Sequence, residues 1–245
     1  MIKAEKINVR FGNNHIIRDI SLEIKPVKNL VILGKNGSGK SVLLKCLSGL
    51  YEFYDGMIEI DGIRADNNLY YRIKNTVVSY VFQKGGLFDS FNVFDNIAFG
   101  LRRKNLPESE IEKMVTDALS SVGLSGNENK FPSELSGGMQ KRVGLARAIC
   151  MNPKVIMYDD PAAGLDPVLT DQIADLMMNI QKNLNITSVI VTHDLKLAHK
   201  IADDIMLIYG GKAVFYGSND DFFAMQNEYA KQFITGDIEG PIDIY

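Results

Sequence analysis

The sequence has little cysteine, no long apolar run and no strong excess of charge of either sign. Its two cysteines, Cys46 and Cys150, lie in apolar helical patterns, which favours small core residues in a reducing compartment over a disulfide or metal framework. No apolar run approaches the roughly 18 residues that a membrane span needs. Charges at Lys3, Glu5 and Lys6 stand where a signal peptide needs its apolar stretch. We therefore expect a cytoplasmic protein, and any work at a membrane requires spanning helices from another chain.

The charge balance argues against one class of partner. The formal net charge is -3, which provides no bulk electrostatic attraction to a polyanion. No internal repeat or low-complexity segment is visible. We therefore expect an ordinary globular chain that has no nucleic-acid partner.

Residues 34–41 have the spacing G-x-x-x-x-G-K-[ST] of a phosphate-binding loop, between a short apolar run and a helical pattern. Glycines at these positions let backbone N–H groups point inward beside the positive end of a helix dipole. Lys40 is expected to reach the β- and γ-phosphates of a nucleotide, and Ser41 to ligate the Mg²⁺ between them. A glycine-rich turn with a coincidental lysine is the structural alternative. The predicted nucleotide-binding residues of the loop are Gly34, Lys35, Asn36, Gly37, Ser38, Gly39, Lys40 and Ser41.

Polar side chains also follow three later strand patterns. A strand-terminal Asp159 is placed to hold Mg²⁺, and the next carboxylate, Asp160, to orient or deprotonate an attacking water. Gln83 and His193 stand at the ends of two other strands, where ligand-contacting residues of parallel sheets collect, and His193 is a candidate sensor of the γ-phosphate. Capped turns are the structural alternative for the aspartates and for Gln83, and a structural histidine is the alternative for His193.

A second anion-binding site is predicted where two glycines open a long helical pattern that runs to residue 152. Ser136 is placed as helix cap and phosphate donor, because the first N–H groups of a helix are free to bind an anion. The residues of this site are Ser136, Gly137, Gly138 and Gln140. Phe11, just before a turn, is either a surface aromatic or a base-stacking one.

The patterns predict an α/β fold with an N-terminal antiparallel β-subdomain and an inserted α-helical subdomain. We expect one domain over 1–235, with the helical subdomain at about 84–152, and an irregular tail over 236–245. The stretch after Gln83 is unusually aromatic, and core packing and a partner-docking surface are its two interpretations.

Taken in order, these motifs resemble the nucleotide-binding subunits of ABC transporters over essentially the whole chain. The matching elements are an adenine-stacking aromatic at Phe11, the Walker A motif at Gly34–Ser41, the Q-loop at Gln83, the ABC signature at Leu135–Gln140, the Walker B strand at Val155–Asp159, the D-loop at Gly164–Asp166 and the switch histidine at His193.

That resemblance implies an ABC-type phosphate-loop NTPase with a RecA-like core. It implies catalytic roles for Asp160, His193 and Gln83. It adds Asp166 to the nucleotide-binding residues, and makes Ser41, Gln83 and Asp159 the metal site. The cofactors would be ATP and Mg²⁺. In the family, two subunits form a head-to-tail dimer that sandwiches ATP between the Walker A loop of one copy and the signature of the other, and this homodimer drives an integral membrane permease.

At subfamily level the chain looks like the Mla/Mkl ATPases, which energise lipid trafficking by MCE-type transporters. The resemblance rests on Val42, on the runs 85–90 and 93–99, and on the end Gly236 with 239–242. It implies an MlaE-like permease, an MCE-domain protein, and a peripheral location on the inner face of the cell membrane. It also implies that the aromatic stretch lies near the permease-facing groove, and that the tail reaches the neighbouring subunit.

One position departs from the family pattern. Asp160 stands where the family has Glu, which keeps the charge but shortens the side chain by one methylene. We expect slow hydrolysis with tight ATP binding, because small errors in water placement are costly to rate. Two alternatives stay open: a soluble non-transport ABC ATPase, and a slow or non-hydrolysing ATP-gated regulatory subunit.

Overall fold

The computed structural model describes residues 1–52, 55–64 and 77–243. Its strands are β1 (Ile2–Phe11), β2 (Asn14–Ile24), β3 (Asn29–Gly34), β4 (Asp55–Ile60), β5 (Ile63–Arg64), β6 (Val78–Val81), β7 (Val155–Asp159), β8 (Thr187–Val191), β9 (Asp204–Tyr209) and β10 (Lys212–Ser218). Its α-helices are α1 (Lys40–Leu47), α2 (Val93–Arg102), α3 (Glu108–Ser121), α4 (Gly137–Ile149), α5 (Pro167–Leu184), α6 (Leu195–Ile201), α7 (Asn219–Phe223) and α8 (Glu228–Thr235). The chain divides into two compact units, Met1–Asn75 with Thr187–Tyr245, and Thr76–Ile186.

The first unit begins with an antiparallel sheet in the order β2, β1, β4 and β5. Ile2 lies opposite Ile24 on β2 and Ile60 on β4, so apolar side chains of three strands share one face. A tight turn at residues 12–13 joins β1 to β2. This confirms the predicted N-terminal antiparallel strands.

The same unit contains a second set of strands, in which β10, β9, β3 and β8 lie side by side. Every residue of β3 and β8 is buried, as expected of parallel strands that are covered on both faces. The pattern over 205–216, with glycines at 210 and 211, predicts a hairpin, and β9 and β10 form it with Lys212 opposite Tyr209. Since β3 and β8 run parallel, their carboxyl ends lie at one edge of the sheet.

The second unit combines the parallel pair β6 and β7 with helices α2 to α5. Helices α2, α3 and α4 contact one another, and α4 contacts β6. Three helices in a row agree with the helical character predicted for this part of the chain. The limits of 84–152 for a separate subdomain stay a prediction.

Three expectations about elements are corrected. The pattern over 77–82 predicts a buried strand, but β6 is shorter and only its last residue, Val81, is buried. The pattern over 219–235 predicts one helix, but the chain forms α7 and α8, because Met225 takes a left-handed φ of 56° and the Asn227 side chain caps a new helix. The pattern that runs to residue 152 ends as regular helix at Ile149. Residues 244–245 of the predicted tail lie outside the described residues.

Candidate functional site

The phosphate-loop pattern lies where β3 ends and α1 begins. Gly34 has a φ of 151°, and a Cβ there would lie 2.4 Å from the carbonyl oxygen of Ile208 and 2.7 Å from Ser38 Oγ. Gly39 precedes α1 with a φ of 101°. Only glycine fits the first position, because the backbone of β9 and the loop itself occupy the space of a side chain. The loop is therefore tight, and the positive end of the α1 helix dipole adjoins it.

Lys40 is folded into this loop. Its ammonium donates hydrogen bonds to the carbonyl oxygens of Gly34 at 2.7 Å and Lys35 at 2.8 Å, and the residue is only 9% exposed. The Oγ of Ser38 is buried and has no hydrogen-bond partner within the described ranges. A buried hydroxyl without a partner is costly, so an acceptor seated in the loop would satisfy it. The loop therefore has the backbone, the cation and the open donor that a phosphate group requires.

His193 lies at the same sheet edge as the loop. Ile32 of β3 is in register with Val191 of β8, so Gly34 and His193 both stand two residues farther along parallel neighbours. Asp194 caps α6 by accepting hydrogen bonds from the N–H groups of residues 196 and 197. The His193 side chain is exposed. The first unit thus brings together the phosphate loop and the predicted switch histidine.

Phe11 is an exposed aromatic at the end of β1. The residue is 49% exposed, and its ring meets the ring of Tyr51 edge to face, with centroids 5.8 Å apart. The ammonium of Lys45 lies 5.1 Å from the centroid of the Tyr51 ring. An exposed aromatic fits both interpretations, a surface aromatic and a base-stacking one, and the stacking role stays a prediction. Sequence reasoning missed Tyr51, whose only signal is an aromatic residue soon after α1.

The second unit brings together Gln83, Asp159 and Asp160. The hydroxyl of Tyr80, on β6, donates a hydrogen bond to Asp159 Oδ2 at 2.8 Å. The side-chain amide of Gln83 donates to Asp160 Oδ2 at 3.4 Å. Asp160 is 9% exposed and has a left-handed φ of 49°. Both carboxylates are therefore oriented by side chains from the neighbouring strand and the loop that follows it.

The predicted second anion site lies at the start of α4. Ser136 is the N-cap, and its Oγ accepts a hydrogen bond from the Met139 N–H at 3.3 Å. The side-chain amide of Gln140 donates hydrogen bonds to the carbonyl oxygens of Pro132 at 2.8 Å and Leu135 at 3.4 Å, in the segment just before the helix. Asp166, predicted to bind nucleotide, caps α5 by accepting hydrogen bonds from the N–H groups of Val168 and Leu169, each at 2.9 Å. Nucleotide contacts by these residues stay predictions.

Two cations on α4 hold the loop that follows Gln83, and sequence reasoning missed both. The Lys141 ammonium donates a hydrogen bond to the carbonyl oxygen of Gln83. The Arg147 guanidinium donates to the carbonyl oxygens of Gly86 at 2.7 Å and Gly85 at 2.9 Å. Burial lowers the pKa of Lys141, which the charge of Asp160 partly opposes, and burial also lowers the pKa of Arg147. The signature helix and the glutamine loop thus form one hydrogen-bonded assembly.

This assembly predicts a role for Lys141 in turnover. We expect Lys141→Met to lower kcat by about three- to tenfold, because Gln83 loses the donor that holds its backbone, worth about 1 kcal/mol. The matched control is Lys113→Met, which changes an exposed lysine of α3. Steady-state ATP hydrolysis by both purified variants measures the effect. Equal kcat values for the two variants would contradict the prediction.

Comparison with known proteins decides the family. A family model described as "ABC transporter" matches residues 17–163, more than half of the chain. This chain belongs to the ABC transporter family. The matched span of this ABC protein includes the phosphate loop and both strand-terminal aspartates. The predicted family is therefore confirmed.

Two curated relatives align with nearly all of this ABC protein. The protein named "Probable ribonucleotide transport ATP-binding protein mkl" of Mycobacterium leprae is 39% identical over 98% of this chain and 70% of its own length. The protein named "Intermembrane phospholipid transport system ATP-binding protein MlaF" of Haemophilus influenzae is 35% identical over 99% of this chain and 93% of its own. Relatives named for import of Fe(3+) ions and of methionine are 36% and 35% identical. The predicted Mla/Mkl likeness is confirmed as a similarity of sequence.

A solved structure matches the fold of this ABC protein. The dimeric ATP-binding cassette MJ0796, in a post-hydrolysis state bound to ADP and Pi, superposes with a TM-score of 0.80 and 27% identity over 89% of this chain and 99% of that one. The expected ABC-type α/β fold is confirmed, and the protein is an ABC ATPase that binds ATP. Among the helices of residues 1–52, 55–64 and 77–243, none is long and apolar enough to cross a membrane.

Proposed function

We propose that this ATPase is the ATP-binding subunit of a lipid transporter of the Mla/MCE type. The observation that carries the proposal is the alignment with MlaF, which includes 99% of this chain and 93% of that protein. Relatives named for ribonucleotides, Fe(3+) ions and methionine have similar identities, so family membership alone favours no substrate. The alignment includes nearly all of an ATPase that is named for phospholipid transport, and the sequence has the subfamily motifs described above. Together these two observations favour a lipid as the transported substrate.

The roles of the site residues follow from their chemistry. The phosphate loop holds the ATP phosphates, and the unpartnered Ser38 Oγ supports an oxygen acceptor seated there. Ser41, Gln83 and Asp159 present the oxygen donors that Mg²⁺ prefers. When bound, Mg²⁺ neutralises phosphate charge. Asp160 orients and deprotonates the attacking water, and His193 contacts the γ-phosphate.

A second copy of the chain completes the ATP site in this proposal. Each chain carries one phosphate loop and one Ser136–Gln140 signature. The Ser136 hydroxyl and the first N–H groups of α4 form an anion site that takes the phosphates held by the loop of the partner copy. ATP then favours the closed homodimer, and hydrolysis releases it. The MJ0796 cassette, which is a dimer with ADP and Pi, supports this arrangement.

An exposed aromatic cluster in the second unit supports docking to a membrane permease. Phe88, Phe91 and Phe99 pack together with ring centroids 4.8 to 6.0 Å apart. Phe88 is 41% and Phe99 42% exposed, while Val93 and Ile97 of the same stretch are buried in the core. The aliphatic residues of the stretch therefore form core, and its phenylalanines form an exposed surface, on which partner docking is our proposal. Clustered exposed phenylalanines are typical of a partner surface.

We expect the double variant Phe88→Ser/Phe99→Ser to lose the permease while it keeps basal ATP hydrolysis. Buried aromatic anchors contribute about 2 kcal/mol or more each to an interface, so affinity should fall by more than about 100-fold. The matched control is Met225→Ser, which removes an exposed apolar side chain from the first unit. Co-purification from membranes measures binding. Retained permease in the double variant would contradict the docking proposal.

The transport proposal is tested with the assembled complex. Affinity purification from membranes should recover a permease and an MCE-domain protein, which identifies the system. ATP hydrolysis by that complex, purified in detergent, should rise with added phospholipid and stay constant with added methionine, Fe(3+) or ribonucleotide. Stimulation by one of these three solutes, without a phospholipid response, would replace lipid by that substrate.

A further inference from the structure

The described part of the C-terminal tail is tied back onto the first unit of its own chain, and its contact with a neighbouring subunit stays a prediction. The side chain of Gln232, on α8, donates hydrogen bonds to the carbonyl oxygens of Asp237 and Ile242, each at 3.1 Å. Its Oε1 accepts a hydrogen bond from the Ile242 N–H at 2.7 Å. Gln232 and Ile242 are each only 6% exposed. One buried amide thus clamps both ends of a short chain reversal.

The backbone conformation at Gly240 lets the tail lie close against the Gln232 side chain. Gly240 has a φ of 154°, and a Cβ there would lie 2.4 Å from the amide carbon of Gln232. Any larger residue would therefore push the tail away from α8. A further contact follows the clamp, since the Asp243 N–H donates to the Tyr209 hydroxyl at 2.7 Å. Residues 236–243 form what we term the strap.

The strap ends on the phosphate loop. The ammonium of Lys35 donates a hydrogen bond to the carbonyl oxygen of Asp243 at 2.7 Å, across 208 positions of sequence. The carbonyl oxygen of Lys35 itself accepts hydrogen bonds from Lys40 Nζ at 2.8 Å and from the Ser38 N–H at 3.2 Å. A continuous series of contacts therefore runs from Gln232 through the strap to Lys35, and from Lys35 to the lysine that binds phosphate.

We propose that the strap is a positioning element for the phosphate loop, and that Gln232 tightens ATP binding through Lys35. The inference rests on the assignment of residues 34–41 as the ATP-binding loop. A loop that is already held in its binding conformation loses less entropy when the nucleotide arrives, so it binds more tightly. The hydrogen bonds of the strap lead to Lys35 of the phosphate loop, so its effect falls on nucleotide affinity more than on the rate of hydrolysis.

The test is a mutant cycle in the full-length chain, with ATP affinity measured by equilibrium binding. Gln232→Ala and Lys35→Ala should each weaken ATP binding about three- to tenfold, as expected for loss of one net hydrogen bond. Because the two residues act in series, the double variant should be no weaker than Lys35→Ala alone. Lys35→Arg, which keeps a donor, should restore affinity, and KM should change more than kcat.

Two further variants keep the test valid if Gln232→Ala folds poorly. Tyr209→Phe removes only the hydroxyl that holds Asp243, and should weaken ATP binding about two- to threefold. Its matched control is Tyr216→Phe, which removes a hydroxyl that bonds to Glu23 and not to the strap. Gly240→Ala should displace the strap, and hydrogen exchange at the Ile242 amide should become faster in every variant that releases it.

Three results would overturn the proposal: additive losses in the double variant, normal ATP affinity in a variant whose Ile242 amide has become exchangeable, or equal effects of Tyr209→Phe and Tyr216→Phe. Failure of the phosphate-loop assignment is separately visible, because Lys40→Ala would then still bind ATP. If Lys40→Ala loses ATP while the strap variants bind normally, only the strap proposal is wrong.

Discussion

Lys40→Ala is expected to abolish measurable ATP binding, with affinity lower by at least about 100-fold. In the loop Lys40 is only 9% exposed, and its ammonium donates hydrogen bonds to the carbonyl oxygens of Gly34 and Lys35. On binding, it exchanges neutral carbonyl partners for charged phosphate oxygens, which form stronger hydrogen bonds with a cation. Alanine removes this charge from the centre of the anion site. It also removes the bonds that hold the loop closed.

Titration calorimetry with ATP and Mg²⁺ measures the effect, and thermal unfolding checks that the variant is folded. The matched control is Lys28→Ala, in the same unit, which breaks only an exposed ion pair with Asp203 at 2.7 Å. Exposed pairs contribute about 0 to 1 kcal/mol, so this control should bind ATP normally. Undiminished ATP affinity in folded Lys40→Ala would overturn the assignment of the loop.

Asp160→Glu is expected to raise kcat by about tenfold or more, and Asp160→Asn to lower it by about 100-fold. Glu restores the side-chain length that the family has at this position, whereas Asn keeps the size of Asp and removes the carboxylate that acts as base. The structure adds an opposing effect, because Asp160 has a left-handed φ of 49°. Asp tolerates this conformation better than Glu does, so Asp160→Glu should also cost about 1 kcal/mol of stability.

The loss of stability should not hide the gain in kcat, because a domain that loses about 1 kcal/mol of its free energy of unfolding stays folded. Phosphate release by the permease-bound protein measures turnover, and chemical denaturation measures stability. The matched control is Asp159→Glu, which lengthens the neighbouring carboxylate and should lower kcat, because Tyr80 holds Asp159 at 2.8 Å. If folded, coupled Asp160→Glu turns over no faster than the parent, the short side chain does not limit the rate.

The sequence by itself determined the chemistry of this ATPase wherever the chemistry is local. The phosphate loop, the strand-terminal Asp159 and His193, and the helix start at Ser136 are each specified by residues within about a dozen positions. Glycine spacing, apolar runs and caps act over such distances. The family could therefore be predicted, together with its fold and the residue types of the site.

Element boundaries were less predictable, because they depend on burial and on single backbone conformations. The strand β6 is only partly buried although the pattern predicts a buried strand, and Met225 interrupts a pattern that predicts one helix. Both differences depend on what packs around the segment in the folded chain, and the periodicity of the sequence carries no information about that packing. Clustering of Phe88, Phe91 and Phe99 on the surface likewise depends on which side of the stretch the core occupies.

Only the tertiary structure decided which groups hold the site residues. Tyr80 and Asp159 are 79 positions apart, Lys141 and Gln83 are 58 apart, and Lys35 and Asp243 are 208 apart. A hydrogen bond requires a donor and an acceptor within about 3 Å of each other. The fold brings these distant residues that close, and their spacing along the chain does not predict it. The sequence therefore determined what the site binds, and the folded chain decided how its lysines and carboxylates are positioned to do so.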